Sequence, residues 1–294
     1  MDGDESRYTI EGPGEGPFFK GHPRLDMPIC RKLSDRPMSP WGEDSVSDAA
    51  LREGAVRLWP SGTLMARLDP DARRELLSLS PARSCEPGSV LVHQGDLDRT
   101  DVYLIRSTRL NAPACAKVTA RLDNGSETLL EIRVSGDIIG ELAVLRHAPR
   151  SATVTTCSRA LVHAIPADVF MGFLDRHPRA WEAVSRMIAD RLDWANRRRQ
   201  EIAGHSVAVR LARVLAELVD FHGYPTSDGH DIGVSLSQTE LGRLISARED
   251  AVGKAMRTLK SAGLVRARHR GVTVLDRAGL RAYEPPPAEK RAHT

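Results

Sequence analysis

From Trp59 onward the apolar positions fall into short blocks, and the spacing within them changes twice along the chain. In LDPDARRELL, Asp69 stands where a helix takes its cap and Pro70 where it takes its first residue. Leu76 and Leu77 follow on one side, so a short helix is predicted here. The blocks then become strand-like. SVLVHQGD ends in the turn-forming pair Gly95 and Asp96, DVYLIRS follows, and CAKVTARL joins ETLLEIRV across Asn124 and Gly125, a hairpin signal. Ala152 to Thr156 and Ala160 to Ile165, closed by Pro166, complete the series. Many short strands punctuated by turns predict a sandwich or jelly roll.

At Pro178 the period becomes helical. Trp181, Val184, Ile188, Leu192 and Ala195 recur at helical spacing, while Arg186, Asp190, Arg191 and Asp193 fall off the stripe. A stripe this narrow suits a two-helix seam better than a broad core face, so Val184, Ile188, Leu192 and Ala195 are expected at a dimer interface, the alternative being a helix packed on its own domain. VAVRLARVLAELVDFHG forms a second helix. Ser237 with Glu240 three residues on reads as a capping box, ahead of Leu241, Leu244 and Ile245. Ser246 and Ala247 make a brief turn, and a further helix from about Arg248 buries Val252, Ala255, Met256 and Leu259. Two short helices joined this tightly form a helix-turn-helix. After Gly263, LVRARHR and VTVL straddle Gly271 as two strands, a wing with Arg266, Arg268, His269 and Arg270 near its tip.

Charge sharpens this picture. The chain of 294 residues carries a net charge of only +3, but between Arg243 and Arg281 ten basic residues face three acidic ones, a local net of +7. Such a focus attracts the phosphate backbone of duplex DNA. Winged helices also serve as protein-interaction modules, so a cyclic-nucleotide-binding module whose winged helix docks a protein partner is the alternative. Residues 1–58 show no sustained period and are expected to form a disordered tail, with Gly54 interrupting the weak helical pattern of SDAALREGAVRLW. The four cysteines, Cys30, Cys85, Cys115 and Cys157, lie far apart with neither metal-ligand nor disulfide-framework spacing, so reduced thiols are expected. No apolar run approaches the roughly 18 residues a membrane span needs. A soluble, cytoplasmic protein without membrane contact is expected.

GELAVLRHAPRSATV, Gly140 to Val154, joins a short helix and a turn between two strands. In this order of parts (a roll with G-E-L-x-x-L then R-S-A-x-V, a long helix, a winged helix-turn-helix) residues 60 to 280 resemble the Crp/Fnr superfamily of bacterial transcription regulators. The resemblance implies an α+β architecture: a cyclic-nucleotide-binding-like jelly roll over 59–177, a dimerisation helix over 178–204, a winged helix-turn-helix over 205–282 and a tail over 283–294. It implies a homodimer that binds double-stranded DNA and contacts RNA polymerase, with no required cofactor and no enzymatic activity. It also implies a phosphate-binding cassette at Gly140, Glu141, Leu142, Ala143, Arg150, Ser151 and Ala152, open to a cyclic nucleotide such as cAMP or cGMP. Gly140 lets backbone approach the ligand, the amides of Leu142 and Ala143 face a phosphate, Glu141 suits a ribose hydroxyl, and Arg150 pairs with the phosphodiester charge. A different small effector, or a ligand-free scaffold in which Glu141 and Arg150 pair with each other, remains open.

Three departures limit the resemblance. RSTRLNAPACAKV after Ile105 is a longer loop without the family's turn glycine, and it adjoins a pocket wall. Ala195 and Asn196 occupy the long-helix positions where cAMP-responsive members carry a Thr-Ser pair, which weakens base readout. The recognition helix opens R-E-D-A-V, with Glu249 and Asp250 where the family has Arg and Glu, so the preferred DNA site should differ. Arg248 and Lys254 are expected in the groove, and Arg243, Arg257, Arg268 and Arg270 on phosphates. Iron–sulfur sensing needs clustered cysteines near the start, where Cys30 stands alone.

Overall fold

The structure, a computed structural model, describes residues 31–32, 59–97, 100–108, 114–268 and 271–284. Its elements run β1 (Arg31–Lys32), α1 (Leu64–Arg67), α2 (Pro70–Ser78), β2 (Ala82–Cys85), β3 (Val90–Val92), β4 (Val102–Ser107), β5 (Cys115–Arg121), β6 (Glu127–Val134) and β7 (Ile138–Ile139). There follow α3 (Glu141–Arg146), β8 (Thr153–Thr156), β9 (Ala160–Ile165), α4 (Ala167–Arg176), α5 (Pro178–Gly204) and α6 (Val207–His222). The chain continues with β10 (Tyr224–Thr226), β11 (Gly229–Asp231), α7 (Gln238–Ile245), α8 (Glu249–Ser261), β12 (Val265–Arg268), β13 (Gly271–Val274) and α9 (Arg277–Arg281).

Two sheets face each other in the roll, one ordered β1-β2-β9-β4-β7 and the other β3-β8-β5-β6. Alternation along the strands divides their side chains. Tyr103, Ile105, Ala116, Val118, Val154 and Val162 fill the space between the sheets. Val102, Leu104 and Ile165 point the other way, onto a layer built from α1, α2, α4 and the first half of α5, where Phe170, Phe173, Val184 and Met187 are buried. Cys115, Leu129, Ile132 and Val134 leave the opposite outer face and join the core of the C-terminal domain. The roll is therefore clad on both faces. In the C-terminal domain a sheet ordered β10-β11-β13-β12 closes over α6, α7 and α8.

Local signals account for the element ends. The Asp69 carboxylate accepts from the amides of Asp71 and Ala72 at 3.0 and 2.9 Å, capping α2. Gly125 (φ +80°) turns β5 into β6 beside Asn124, whose side chain accepts from Ser126 N. Both halves of the capping box at α7 form, Ser237 Oγ accepting from Glu240 N at 3.1 Å and Glu240 Oε2 from Ser237 N at 2.8 Å.

Three sequence expectations are corrected. Within the expected N-terminal tail, Arg31–Lys32 is a strand paired antiparallel with β2; the rest of 1–58 lies outside the described residues. Val184 is 1% exposed, spent on the roll's own helical layer rather than on an outer seam. Cys115 and Cys157, 42 residues apart, are joined in a disulfide, and Cys85 is disulfide-bonded as well. Strand pairing of β5 with β8 brings the first two together, a long-range register that no cysteine spacing reveals.

Candidate effector cassette and nucleic-acid interface

The cassette opens where β7 ends. Gly140 adopts φ +86°, a conformation glycine takes without steric cost, and as the residue before α3 it offers no side chain to the first helical amides. A methyl group here would stand 2.2 Å from Arg150 Nη1, so the space belongs to the guanidinium. Arg150 is 3% exposed and donates to Gly140 O at 2.8 Å and Asp101 O at 2.6 Å. Its Nε is buried without a hydrogen-bond partner. A buried, unsatisfied donor on a cation costs roughly 1–3 kcal/mol or more, and an anion entering the cavity would offset that. All seven cassette residues, Gly140, Glu141, Leu142, Ala143, Arg150, Ser151 and Ala152, line one cavity of about 60 Å³, with Arg133 in its wall. A second cavity, about 350 Å³, shares Val118, Arg133, Leu142, Ser151 and Ala152 with the first and extends between the roll, α5 and α7. Its lining adds Arg191, Arg198, Arg199 and Arg243, while Glu131 contributes a carboxylate.

Glu141 and Arg150 do not pair with each other. Glu141, 3% exposed, instead accepts from Arg191 Nη1 at 2.5 Å, and Arg191 belongs to α5. Arg191 also donates to Asp137 Oδ1 and Ile138 O, each at 3.3 Å. Burial pushes the Asp137 carboxyl above its ordinary value, against the pull of Arg191 and Arg133. Desolvation works against the charge on Arg133, yet Glu131 and Asp137 more than compensate and its pKa rises. Three carboxylates and two guanidinia thus form one network between the cassette and the long helix. Arg191 carried no site role in the sequence, because it lies off the apolar stripe and its inward placement follows from the packing of α5 on β7.

On α5 the expected seam divides. Ile188 and Ala195 are half-buried and Leu192 is 59% exposed. With exposed Ser185, Ala189, Asn196 and Ile202 they form an outward stripe that begins beyond Val184.

In the winged helix, Ser246 (φ +52°) makes the turn between α7 and α8. Arg248, Glu249, Asp250, Lys254 and Arg257 are all exposed on α8 or at its cap. Arg248 Nε lies 3.9 Å from Asp250, and Glu249 accepts from Thr239 Oγ1 at 2.6 Å. Arg268 is exposed on β12, whereas Arg270 falls outside the described residues, as do residues 109–113 of the loop after Ile105. Arg243 is occupied: its Nη1 donates to Glu127 of β6 at 2.6 Å. Lys117 of β5 pairs with Glu240 beside it, so α7 is docked on the roll by two ion pairs.

This arrangement matches known proteins. Residues 82–177 fit the cyclic nucleotide-binding domain family and residues 209–283 the Crp-like helix-turn-helix domain family. The chain is 27% identical over 162 residues to a CRP-like cAMP-activated global transcriptional regulator of Mycobacterium tuberculosis, covering 54% of this chain and 71% of that one. It is 23% identical over 206 residues to the cAMP-activated global transcriptional regulator Vfr of Pseudomonas aeruginosa, covering 68% and 92%. In fold it resembles the c-di-GMP responsive global regulator CLP of Xanthomonas campestris, with a TM-score of 0.58 and 20% identity over 71% of this chain and all of that one. A cyclic nucleotide-binding roll joined to a Crp-like helix-turn-helix is the make-up of a transcription regulator. The two matched segments make up more than half of the chain, which belongs to the Crp/Fnr family of transcription regulators. Among the described residues no helix is long and apolar enough to cross a membrane.

Proposed function

We propose that this chain is a cytoplasmic homodimeric regulator, paired along the outward stripe of α5, whose DNA binding is set by a cyclic nucleotide or related phosphate-bearing effector in the roll. The observation that carries the proposal is the bond between Glu141 of the cassette and Arg191 of the long helix. A phosphate draws Arg150 from its two backbone carbonyls, and a sugar hydroxyl that takes an oxygen of Glu141 alters the contact of α5 made through Arg191. The effector thereby biases how the paired DNA-binding domains sit. The orphaned Nε of Arg150 and the uncapped amides of α3 suit the phosphate. The small cavity holds little more than that group, so the remainder of the ligand occupies the adjoining cavity toward Ala195. The relatives' activation by cAMP supports a cyclic mononucleotide, and Ala195 and Asn196 supply little to recognise adenine. On DNA, α8 enters the major groove through Arg248 and Lys254, with Glu249 and Asp250 accepting from cytosine amines, while Arg257 and Arg268 contact phosphates. Arg243 joins them once it leaves Glu127, and the bound dimer presents a surface to RNA polymerase.

Calorimetry with cAMP and with cGMP tests the cassette. Saturable heat with at least one nucleotide, abolished by Arg150→Leu, is expected. Absence of heat with both, or unchanged binding by the variant, refutes a cyclic nucleotide effector.

A further inference from the structure

The outer face of β5 presents Cys115 and, two positions on, Lys117, and both meet the C-terminal domain. Pairing of β5 with β8 runs from Thr119 opposite Thr153 to Ala116 opposite Thr156. One step further Cys157 stands across from Cys115, its amide donating to Cys115 O at 2.8 Å and the two Cα atoms 5.5 Å apart, and a disulfide joins them. Cys115 is buried, whereas Cys157 is partly exposed and lines a cavity of about 320 Å³ together with Lys117, Ser237, Glu240 and Arg243. A small thiol therefore has a route to Cys157 along the seam between the roll and α7.

We propose that Cys115 and Cys157 form a reversible thiol–disulfide site whose state is read by the docking of α7 on the roll. A protein that acts on DNA works where thiols are kept reduced, and disulfides in such compartments are usually regulatory rather than structural. The co-reactant is a low-molecular-weight disulfide such as oxidised glutathione. The Cys157 thiolate attacks it, forming a mixed disulfide and releasing one glutathione thiolate, which takes up a proton. The Cys115 thiolate then attacks Cys157 Sγ and releases the second. Two protein thiols are oxidised and one external disulfide is reduced to two thiols; reduction runs the same exchange backwards.

The coupling runs through β5. The bond ties the end of β5 to the residue that follows β8, immediately beside Lys117, and reduction releases that tie. Lys117 holds Glu240, which also closes the capping box of α7, and Arg243 one turn further along holds Glu127. Reduction thus loosens α7 from the roll and frees Arg243, and the gain in DNA affinity rests on the phosphate role proposed above for that arginine.

The full-length protein, equilibrated with glutathione at graded oxidised-to-reduced ratios, provides the test. Differential alkylation with mass spectrometry reports the two thiols, amide hydrogen exchange reports α7, and titration with a duplex selected on the same protein reports affinity. Cys115 and Cys157 should convert together, the reduced form exchanging faster in α7 and binding the duplex at least about fivefold tighter, the lower range of ordinary coupling between sites. Cys157→Ser and Cys115→Ala should behave like the reduced form at every ratio. The proposal fails if the pair never cross-links, if α7 exchange ignores its state, or if Cys157→Ser still responds, which would move the effect to another cysteine. Exchange that switches without a change in duplex affinity upholds the redox site and removes only the role of Arg243.

Discussion

Glu141 is a buried carboxylate whose cation arrives from another element, and that fixes what its removal costs. Arg191→Ala strips Glu141 of its partner and leaves a charge at 3% exposure, a change expected to destabilise the protein by about 3 kcal/mol in urea unfolding. Replacing both partners with apolar residues, as in Glu141→Leu with Arg191→Met, should cost less than Arg191→Ala alone, because no charge is then stranded. A double variant less stable than the single one would show that the pair is not coupled. Gly140→Ala makes the complementary test from the backbone side. The methyl collides with the Arg150 guanidinium at a left-handed φ, so about 1–3 kcal/mol of stability and the nucleotide heat should both be lost. The motif letters at 140–143 and 150–152 made these residues legible as a cassette. Their partners were not: Arg191 is assigned by packing of α5 on β7, and Asp101 by a backbone carbonyl that carries no side-chain signature.

At the scale of elements, the sequence was most informative where a local signal closes on itself. The cap at Asp69, the hairpin at Asn124–Gly125 and the capping box at Ser237 involve residues at most a few positions apart, and each forms where the pattern places it. Elements that exist through long-range pairing escaped. The two-residue strand β7 is defined by Tyr103 and Leu104 across the sheet, and β2 by β9. The same limit hid the contact of Cys115 with Cys157. One further element-scale property follows from burial at the end of α6. His222 donates from Nδ1 to Ile232 O at 2.8 Å, and desolvation lowers its pKa from 6.5 to about 4. The folded state keeps this ring neutral, so its contribution to stability is whole above pH 6.5 and is lost as the pH falls toward 4, while the unfolded chain takes up the proton. Up to about 3 kcal/mol should disappear from the C-terminal domain across that window. His222→Asn, which keeps a donor without the titration, should flatten the profile measured by thermal unfolding; an unchanged slope would assign the pH dependence elsewhere.

For the whole molecule, α5 is the element that every part touches: the roll's helical layer on one side, the cassette through Arg191, α7 through Arg198 donating to Leu244 O at 2.8 Å, and an outward stripe containing Leu192. The stripe's period was readable from the sequence, but its inner boundary was not, since Val184 obeys the same spacing and is consumed within the chain. Leu192→Glu places a charge in the proposed seam and should convert a dimer to a monomer by light scattering while leaving the fold intact. The same variant should lose paired-site DNA binding because a dimer spans two half-sites. Arg257→Ala should weaken duplex binding evenly across sequences and lower the salt slope by about one.

Selection of bound duplexes from a random pool by the full chain, run with and without cAMP and cGMP, tests the central claim most directly. An effector-controlled dimer should enrich two symmetric half-sites about 10–10.5 base pairs apart, centre to centre, or a multiple of that spacing, with salt-dependent affinity and enrichment that rises with a nucleotide. A pool that remains random under every condition, with affinity indifferent to salt, would contradict it.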